Sequence, residues 1–192
     1  RLPATYAAIR QCLSETADRR EGFAPARLLD IGAGPGTALW AARAEWPELG
    51  AATLVETSAA MREASARLAE ALSIDTDWYA ANVEDGLTDI APADLVTLCY
   101  VLDELAPAAR DTLIDRLWAL TADTLVIVEP GTPAGWQRIL AARDRLTALG
   151  GHILAPCPHH APCPVKAPDW CHFSRRVARS RLHRTAKGGE VP

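Results

Sequence analysis

Apolar residues along this chain fall into two alternating rhythms. Tyr6, Ile9 and Leu13 recur at helical spacing and predict an opening helix. Arg27-Leu28-Leu29-Asp30-Ile31 is an apolar run of strand length, followed by a glycine turn and a helix from about Thr37 that stops before Pro47. Thr53-Leu54-Val55-Glu56 reads as a second strand, after which Ser58 caps an alanine-rich helix running to about Leu72. Trp78-Tyr79-Ala80 predicts a third strand, and Asp94 to Cys99 a fourth that is longer and more apolar. Pro107 suits the first turn of a helix that turns Leu113, Ile114, Leu117 and Trp118 inward. Thr124 to Glu129 is a fifth strand, and Trp136 to Leu149 a helix ended by Gly150-Gly151. Strands this apolar are buried on both faces, and helices between them imply right-handed parallel crossovers. The expected fold is α/β, a doubly wound and mostly parallel sheet.

The texture changes at His152. Five prolines stand between Pro156 and Pro168, too many for a helix or a central strand, and Ser174 to Arg184 then predicts a short basic helix. Three units follow: an N-terminal helix over 1–24, an α/β domain over 25–151, and a proline- and cysteine-rich segment over 152–192. At 192 residues, with 49% hydrophobic and 23% charged side chains, the chain is globular rather than disordered. Its longest apolar run, Leu95 to Leu102, spans eight residues, and a membrane helix needs roughly 20, so no membrane association is expected. The chain opens without an initiator Met or a signal-peptide pattern and ends at Gly188-Gly189-Glu190-Val191-Pro192, which suggests a fragment of a longer protein.

Charge sharpens the division. Residues 1–150 hold 13 Lys and Arg against 22 Asp and Glu, a balance of −9; residues 151–192 hold 7 against 2, a balance of +5. An acidic body with a basic end points to a polyanion contact, or to a solvated basic helix.

The best local motif is Leu28-Leu29-Asp30-Ile31-Gly32-Ala33-Gly34-Pro35-Gly36-Thr37. Glycines after a first strand let backbone approach a ligand, and the next helix's N-terminus favours a carboxylate or phosphate. Glu56 ends the second strand 24 residues after Gly32, where a carboxylate can accept both ribose hydroxyls of a nucleoside. The dinucleotide fingerprint needs its third glycine one place later than Gly36. With Asp30 just before the turn, the spacing fits S-adenosylmethionine better, since there is no diphosphate to cradle. A dinucleotide and a plain structural turn are the alternatives.

These residues resemble the class I S-adenosylmethionine-dependent methyltransferases, with a Rossmann-like fold, over about residues 25–150. The resemblance implies that Asp30 helps hold the cofactor's amino group, that Gly32, Gly34 and Gly36 wrap its methionine portion, and that Glu56 holds the ribose. It also places Asn82 and Val83, just after the third strand, at the adenine. Asn82 stands where that family more often has Asp. The neighbouring Glu84-Asp85 reads equally as a solvated turn.

Five cysteines fall in two groups. Cys12 and Cys99 sit in apolar patterns, whereas Cys157, Cys163 and Cys171 lie within fifteen residues of one another. An odd total without export signals argues for a reducing compartment rather than a disulfide framework. Thiols in a proline-rich loop gain little by packing and are oxidation liabilities, so three close together suggest shared ligation. The Cys-Pro step at Cys157 and Cys163 also occurs in ferredoxin-type cluster binding. Zinc would take the three cysteines plus one of His159, His160 or His172; an iron–sulfur cluster would want a fourth cysteine. The spacing C-x5-C-x7-C leaves zinc and iron–sulfur both open.

The glycine turn followed by Cys-Pro-His, Cys-Pro and Asp169-Trp170-Cys171-His172-Phe173, then Ser174-Arg175-Arg176, resembles the small-ribosomal-subunit methyltransferase-like family of bacteria and mitochondria. That resemblance implies a [4Fe–4S] site with Cys157, Cys163 and Cys171 as its first three ligands and the fourth further along. It implies the small ribosomal subunit and its RNA as partner, in the cytoplasm of a bacterium or the mitochondrion of a eukaryote. Arg175, Arg176 and Arg179 would share one side of the basic helix and face RNA phosphates. His172 and Phe173 are expected to pack rather than to stack on bases.

No single catalytic residue stands out. Methyl transfer from a sulfonium is an in-line displacement that positioning alone can promote. Where amine methyltransferases carry an Asn/Asp-Pro-Pro-aromatic tetrad, this chain has Leu98-Cys99-Tyr100-Val101. Cys99 is expected to be a small buried residue rather than a nucleophile, and Asp103 and Glu104 to face the cleft or the surface. Two function classes follow: an S-adenosylmethionine-dependent methyltransferase acting on small-subunit ribosomal RNA, or a non-catalytic assembly factor with a vestigial cofactor pocket. A small-molecule methyltransferase is a weaker third, disfavoured by the basic end.

Overall fold

The structure, a computed structural model, describes residues 2–83, 87–178 and 185. Five strands, β1 (Arg27–Ile31), β2 (Ala51–Val55), β3 (Asp75–Tyr79), β4 (Ala93–Cys99) and β5 (Thr121–Val128), form one wholly parallel sheet in the order β3-β2-β1-β4-β5. The helices are α1 (Leu2–Arg19), α2 (Thr37–Glu45), α3 (Ala59–Ala69), α4 (Pro107–Ala119) and α5 (Pro133–Ala148).

Each side of the sheet has its own core. Ile9 and Leu13 of α1, Ala38, Leu39, Ala41 and Ala42 of α2 and Ala69 of α3 pack with Leu28, Leu54 and Leu95 on one face. Leu113, Ile114 and Leu117 of α4 and Ala142 of α5 pack with Leu29, Ile31, Val55, Val96 and Leu98 on the other. Alternate residues of β1 thus go to opposite cores, as a strand's two-residue period requires when both faces are covered. Asp94 Oδ2 accepts the N–H groups of Ala26 (3.0 Å) and Arg27 (2.9 Å), which satisfies the donors at the start of β1.

Helix ends follow the sequence signals. Ser58 Oγ accepts from Met61 N at the start of α3, and Pro107 opens α4. Gly150 N donates to Thr147 O and Gly151 N to Leu146 O, the paired bonds of a Schellman stop after α5.

Several boundaries differ from expectation. β3 begins at Asp75, before Trp78, because alternating exposure along an edge strand shows fewer apolar residues than a central strand. β5 starts at Thr121 and α5 at Pro133, where Thr132 Oγ1 accepts from Gly135 N as N-cap. The basic helix expected from Ser174 is corrected: residues 174–178 have no helix or strand, and Arg179 to Arg184 lie outside the described residues. Among the described residues, no helix is long and apolar enough to cross a membrane.

Candidate functional site

The strand order reverses between β1 and β4, and their carboxyl ends open the crevice where open α/β sheets take ligands. Asp30, one residue before the end of β1, is 1% exposed. Its Oδ1 accepts from Thr97 Oγ1 of β4 at 2.7 Å, while Oδ2 is buried without a partner. Burial, opposed by the Thr97 hydrogen bond and reinforced by the charge of Glu56, pushes the Asp30 carboxyl up to about 7. A carboxyl with one orphan oxygen at the floor of a crevice is an unfilled acceptor.

The turn after β1 is built tightly. Gly32 and Ala33 donate to Val55 O at 2.9 and 3.0 Å, and Gly36 N donates to Ala33 O at 2.9 Å. Gly32 has φ +69°, and a Cβ there would lie 2.4 Å from Val101 Cγ2, so only glycine fits. At Gly36, φ is +79° and a Cβ would meet Ser65 Oγ at 2.3 Å. Gly34 differs: a Cβ there would find nothing within 4 Å, because this position faces open space.

Glu56 sits one residue beyond β2 and is partly buried. Its Oε2 accepts from Gly34 N at 2.9 Å and its Oε1 from Ser58 N at 2.7 Å. Arg62 Nη1 donates to the carbonyls of Glu56 (2.7 Å) and Thr57 (2.8 Å), fixing the end of the strand. The second strand's acid is therefore locked to the first strand's glycine turn, a link that sequence spacing alone does not show.

Asp30, Gly32 and Gly34 share a cleft of about 210 Å³ with Thr37 of α2 and Cys99 and Tyr100 at the end of β4; Leu2, Thr5 and Ile9 of α1 also line it. Glu56 borders it through Gly34, while Val83 is buried in the second core and Asn82 is exposed beside it. Cys99 is only partly buried. Desolvation, with the charges of Asp30, Cys12 and Glu129, drives its thiol well above the ordinary range, so it is no thiolate nucleophile. Desolvation also raises the Tyr100 phenol. Neither Asp103 nor Glu104 lines the cleft: Asp103 pairs with Arg138 at 2.8 Å, and Glu104 is exposed.

The turn after β4 reveals residues that sequence reading missed. Arg110 Nε donates to Leu102 O (2.8 Å) and its Nη2 to Leu105 O (2.9 Å). Glu129 Oε1 accepts from Leu102 N (3.2 Å), and its Oε2 binds Arg138 Nε (2.6 Å). The Glu129 and Arg138 side chains are 1% and 9% exposed. The only sequence signal was Glu129 at a strand's carboxyl end; its partners are set by tertiary contact.

The proline- and cysteine-rich segment folds back on the body. Arg143 of α5 donates to the carbonyls of His159 and of Ala161 (3.0 Å). Trp170 Nε1 donates to Gly131 O at 3.1 Å, the Trp170 ring stacks on His172 with centroids 5.4 Å apart, and His172 Cβ would lie 3.2 Å from a Cβ on Gly131. His172 remains exposed although it stacks on Trp170, and Phe173 is 75% exposed. Cys157 is exposed, and Cys163 and Cys171 are partly buried. Burial, with the charges of Cys157 and Cys163, raises the Cys171 thiol. Among the described residues, however, no three His, Cys, Asp or Glu side chains are disposed to hold a metal ion, and as placed the thiols do not enclose one. Arg175 donates to Gln11 Oε1 of α1, and with Arg176 it borders a groove of about 790 Å³ against that helix; Arg179 lies outside the described residues.

Comparison with known proteins bears on fold and family separately. The plantazolicin methyltransferase BpumL, solved with SAH, superposes with a TM-score of 0.54 at 15% identity over 65% of this chain and 47% of its own. Coclaurine N-methyltransferase, solved with N-methylheliamine and SAH, gives 0.51 at 14% identity over 64% and 35%. Both establish a Rossmann-like methyltransferase fold. The human protein named ribosome assembly protein METTL17, mitochondrial, is 33% identical over 190 residues, covering 91% of this chain and 42% of that protein. The chain therefore spans less than half the length of that relative. A family model described as mitochondrial small ribosomal subunit Rsm22 matches residues 1–192, and with it the chain belongs to the Rsm22 family.

Proposed function

We propose that this chain is the S-adenosylmethionine-binding part of a small-ribosomal-subunit assembly protein that methylates the subunit's RNA. One observation carries the cofactor reading: the orphan Oδ2 of buried Asp30 lies at a cleft whose Gly34 has no atom over its Cβ position. An unpaired buried acceptor favours a cationic donor such as an amino group, and open space over backbone suits a flat or slender ligand. Asp30 would receive the amino group, Gly32, Gly34 and Gly36 would give the methionine portion its close approach, and Glu56 would accept ribose hydroxyls. Asn82 and Val83 would border the adenine. When bound, S-adenosylmethionine supplies an electrophilic methyl group on a sulfonium. The chain's own residues orient it: Thr97 fixes the Asp30 carboxyl, and Gly34 N and Ser58 N fix that of Glu56.

The ribosomal reading draws on family membership and on the basic end, where Arg175, Arg176 and Arg179 would contact RNA phosphates. Cys157, Cys163 and Cys171 would be three ligands of a [4Fe–4S] site, or of zinc; this reading draws on three thiols within fifteen residues of a proline-rich segment, not on their placement, which does not enclose an ion. Iron, sulfide and zinc assays on anaerobically purified full-length protein test this: stoichiometric zinc without sulfide overturns the cluster.

A specific observation favours a second reading, assembly without transfer: the cleft wall at the end of β4 offers only Cys99 and Tyr100, both held protonated. Glu56→Ala separates the two. Loss of cofactor binding together with loss of a small-subunit RNA methyl mark supports the enzyme. Loss of cofactor binding with unchanged modification and normal subunit maturation in that variant supports the assembly factor and contradicts the enzyme.

A further inference from the structure

Tyr100, the first residue after β4, holds φ at +63°, a left-handed conformation that is a genuine outlier for an aromatic side chain. Such strain persists only where surrounding contacts over-determine it, and it concentrates at functional sites. The contacts are present. Tyr100 N donates to Val128 O at 2.8 Å, and Arg110 grips the carbonyls of Leu102 and Leu105. Beneath the turn lies the buried pair Glu129–Arg138, whose remaining bonds go to Leu102 N and Asp103, both in the same turn. A buried ion pair is a weak source of stability, because desolvation offsets its attraction. Its best-attested use is to specify one arrangement over others. Here that arrangement presses Val101 onto Gly32 and leaves Tyr100 lining the cleft.

We propose that the Glu129–Arg138 pair is a positioning device for the nucleoside cleft, fixing the turn after β4 so that Tyr100 forms one of its walls. The inference rests on the S-adenosylmethionine reading and names the residues that decide how well the donor seats. Glu129 and Arg138 touch no ligand; they act through Leu102, Asp103 and the strained Tyr100.

The test is calorimetric titration of full-length protein with S-adenosylmethionine, alongside amide hydrogen exchange of residues 100–105 and urea unfolding. The double variant Glu129→Gln/Arg138→Met removes both buried charges together and takes a partner only from Asp103, whose side chain is exposed. It should weaken donor binding at least tenfold and speed exchange in the turn, with little change in the urea midpoint. Tyr100→Gly, which adopts the same backbone without strain, should weaken binding similarly, whereas Tyr100→Phe should not. Should the double variant fail to fold, Tyr100→Gly decides. Donor affinity within twofold of wild type in these variants overturns the inference and leaves the cofactor reading standing. A wild-type protein that takes up no donor overturns the cofactor reading, and the inference with it.

Discussion

Asp30 is the residue on which chemistry and stability meet. Its carboxyl titrates near 7 in the folded chain against an ordinary value of 3.8. Between those values the folded state keeps a proton that the unfolded chain has lost, so this residue's contribution falls as pH rises from about 4 to about 7. The slope is at most about 1.4 kcal/mol per pH unit. Asp30→Asn should flatten that part of the profile, read as urea midpoints from pH 4 to pH 8; an unchanged slope would show that Asp30 titrates normally. Gly32 makes a steric prediction. Gly32→Ala forces a methyl toward Val101 and a side chain into positive φ, and should destabilise the fold by about 2–4 kcal/mol in denaturant unfolding.

Among elements, the central ones were legible because they are buried on both faces: β1 runs over the expected residues, and α2 stops ahead of Pro47. The edge strand β3 was half-legible, since alternating exposure dilutes an apolar run. The 174–178 stretch was misread because arginine periodicity alone cannot nucleate a helix; there Arg175 instead reaches Gln11 of α1. In the site, Asp30, the glycines and Glu56 were visible through spacing. The Glu129–Arg138–Asp103 chain was not, because Asp103 lies on the preceding crossover. The cap of α5 was missed by a few residues and gives an element-scale prediction: Thr132→Ala should cost about 1 kcal/mol, seen as a lower urea midpoint. No change would mean that Gly135 N finds another acceptor.

Across the whole molecule, an acidic α/β body carries a basic proline- and cysteine-rich segment against its α5 and β5 side. Arg143 joins the two through the carbonyls of His159 and Ala161. Arg143→Ala should release that segment while sparing the sheet. Limited proteolysis between Cys157 and Cys171 is expected to quicken several-fold, with the main thermal transition little changed. Equal cleavage of both proteins would show that Trp170 and His172 suffice to dock it. α1 borders both the cleft beside Asp30, through Leu2, Thr5 and Ile9, and the arginine groove, through Tyr6, Arg10 and Gln11. The body and its basic segment therefore share a helix.

The most direct test of the cofactor reading is calorimetry of the full-length protein with S-adenosylmethionine at pH 6 and pH 7.5. A donor amino group seated on the Asp30 carboxylate requires that residue to be ionised, so binding should be about tenfold weaker at pH 6, and Asp30→Asn should abolish that difference. Absence of binding at either pH, or binding that ignores both pH and Asp30, would contradict the account.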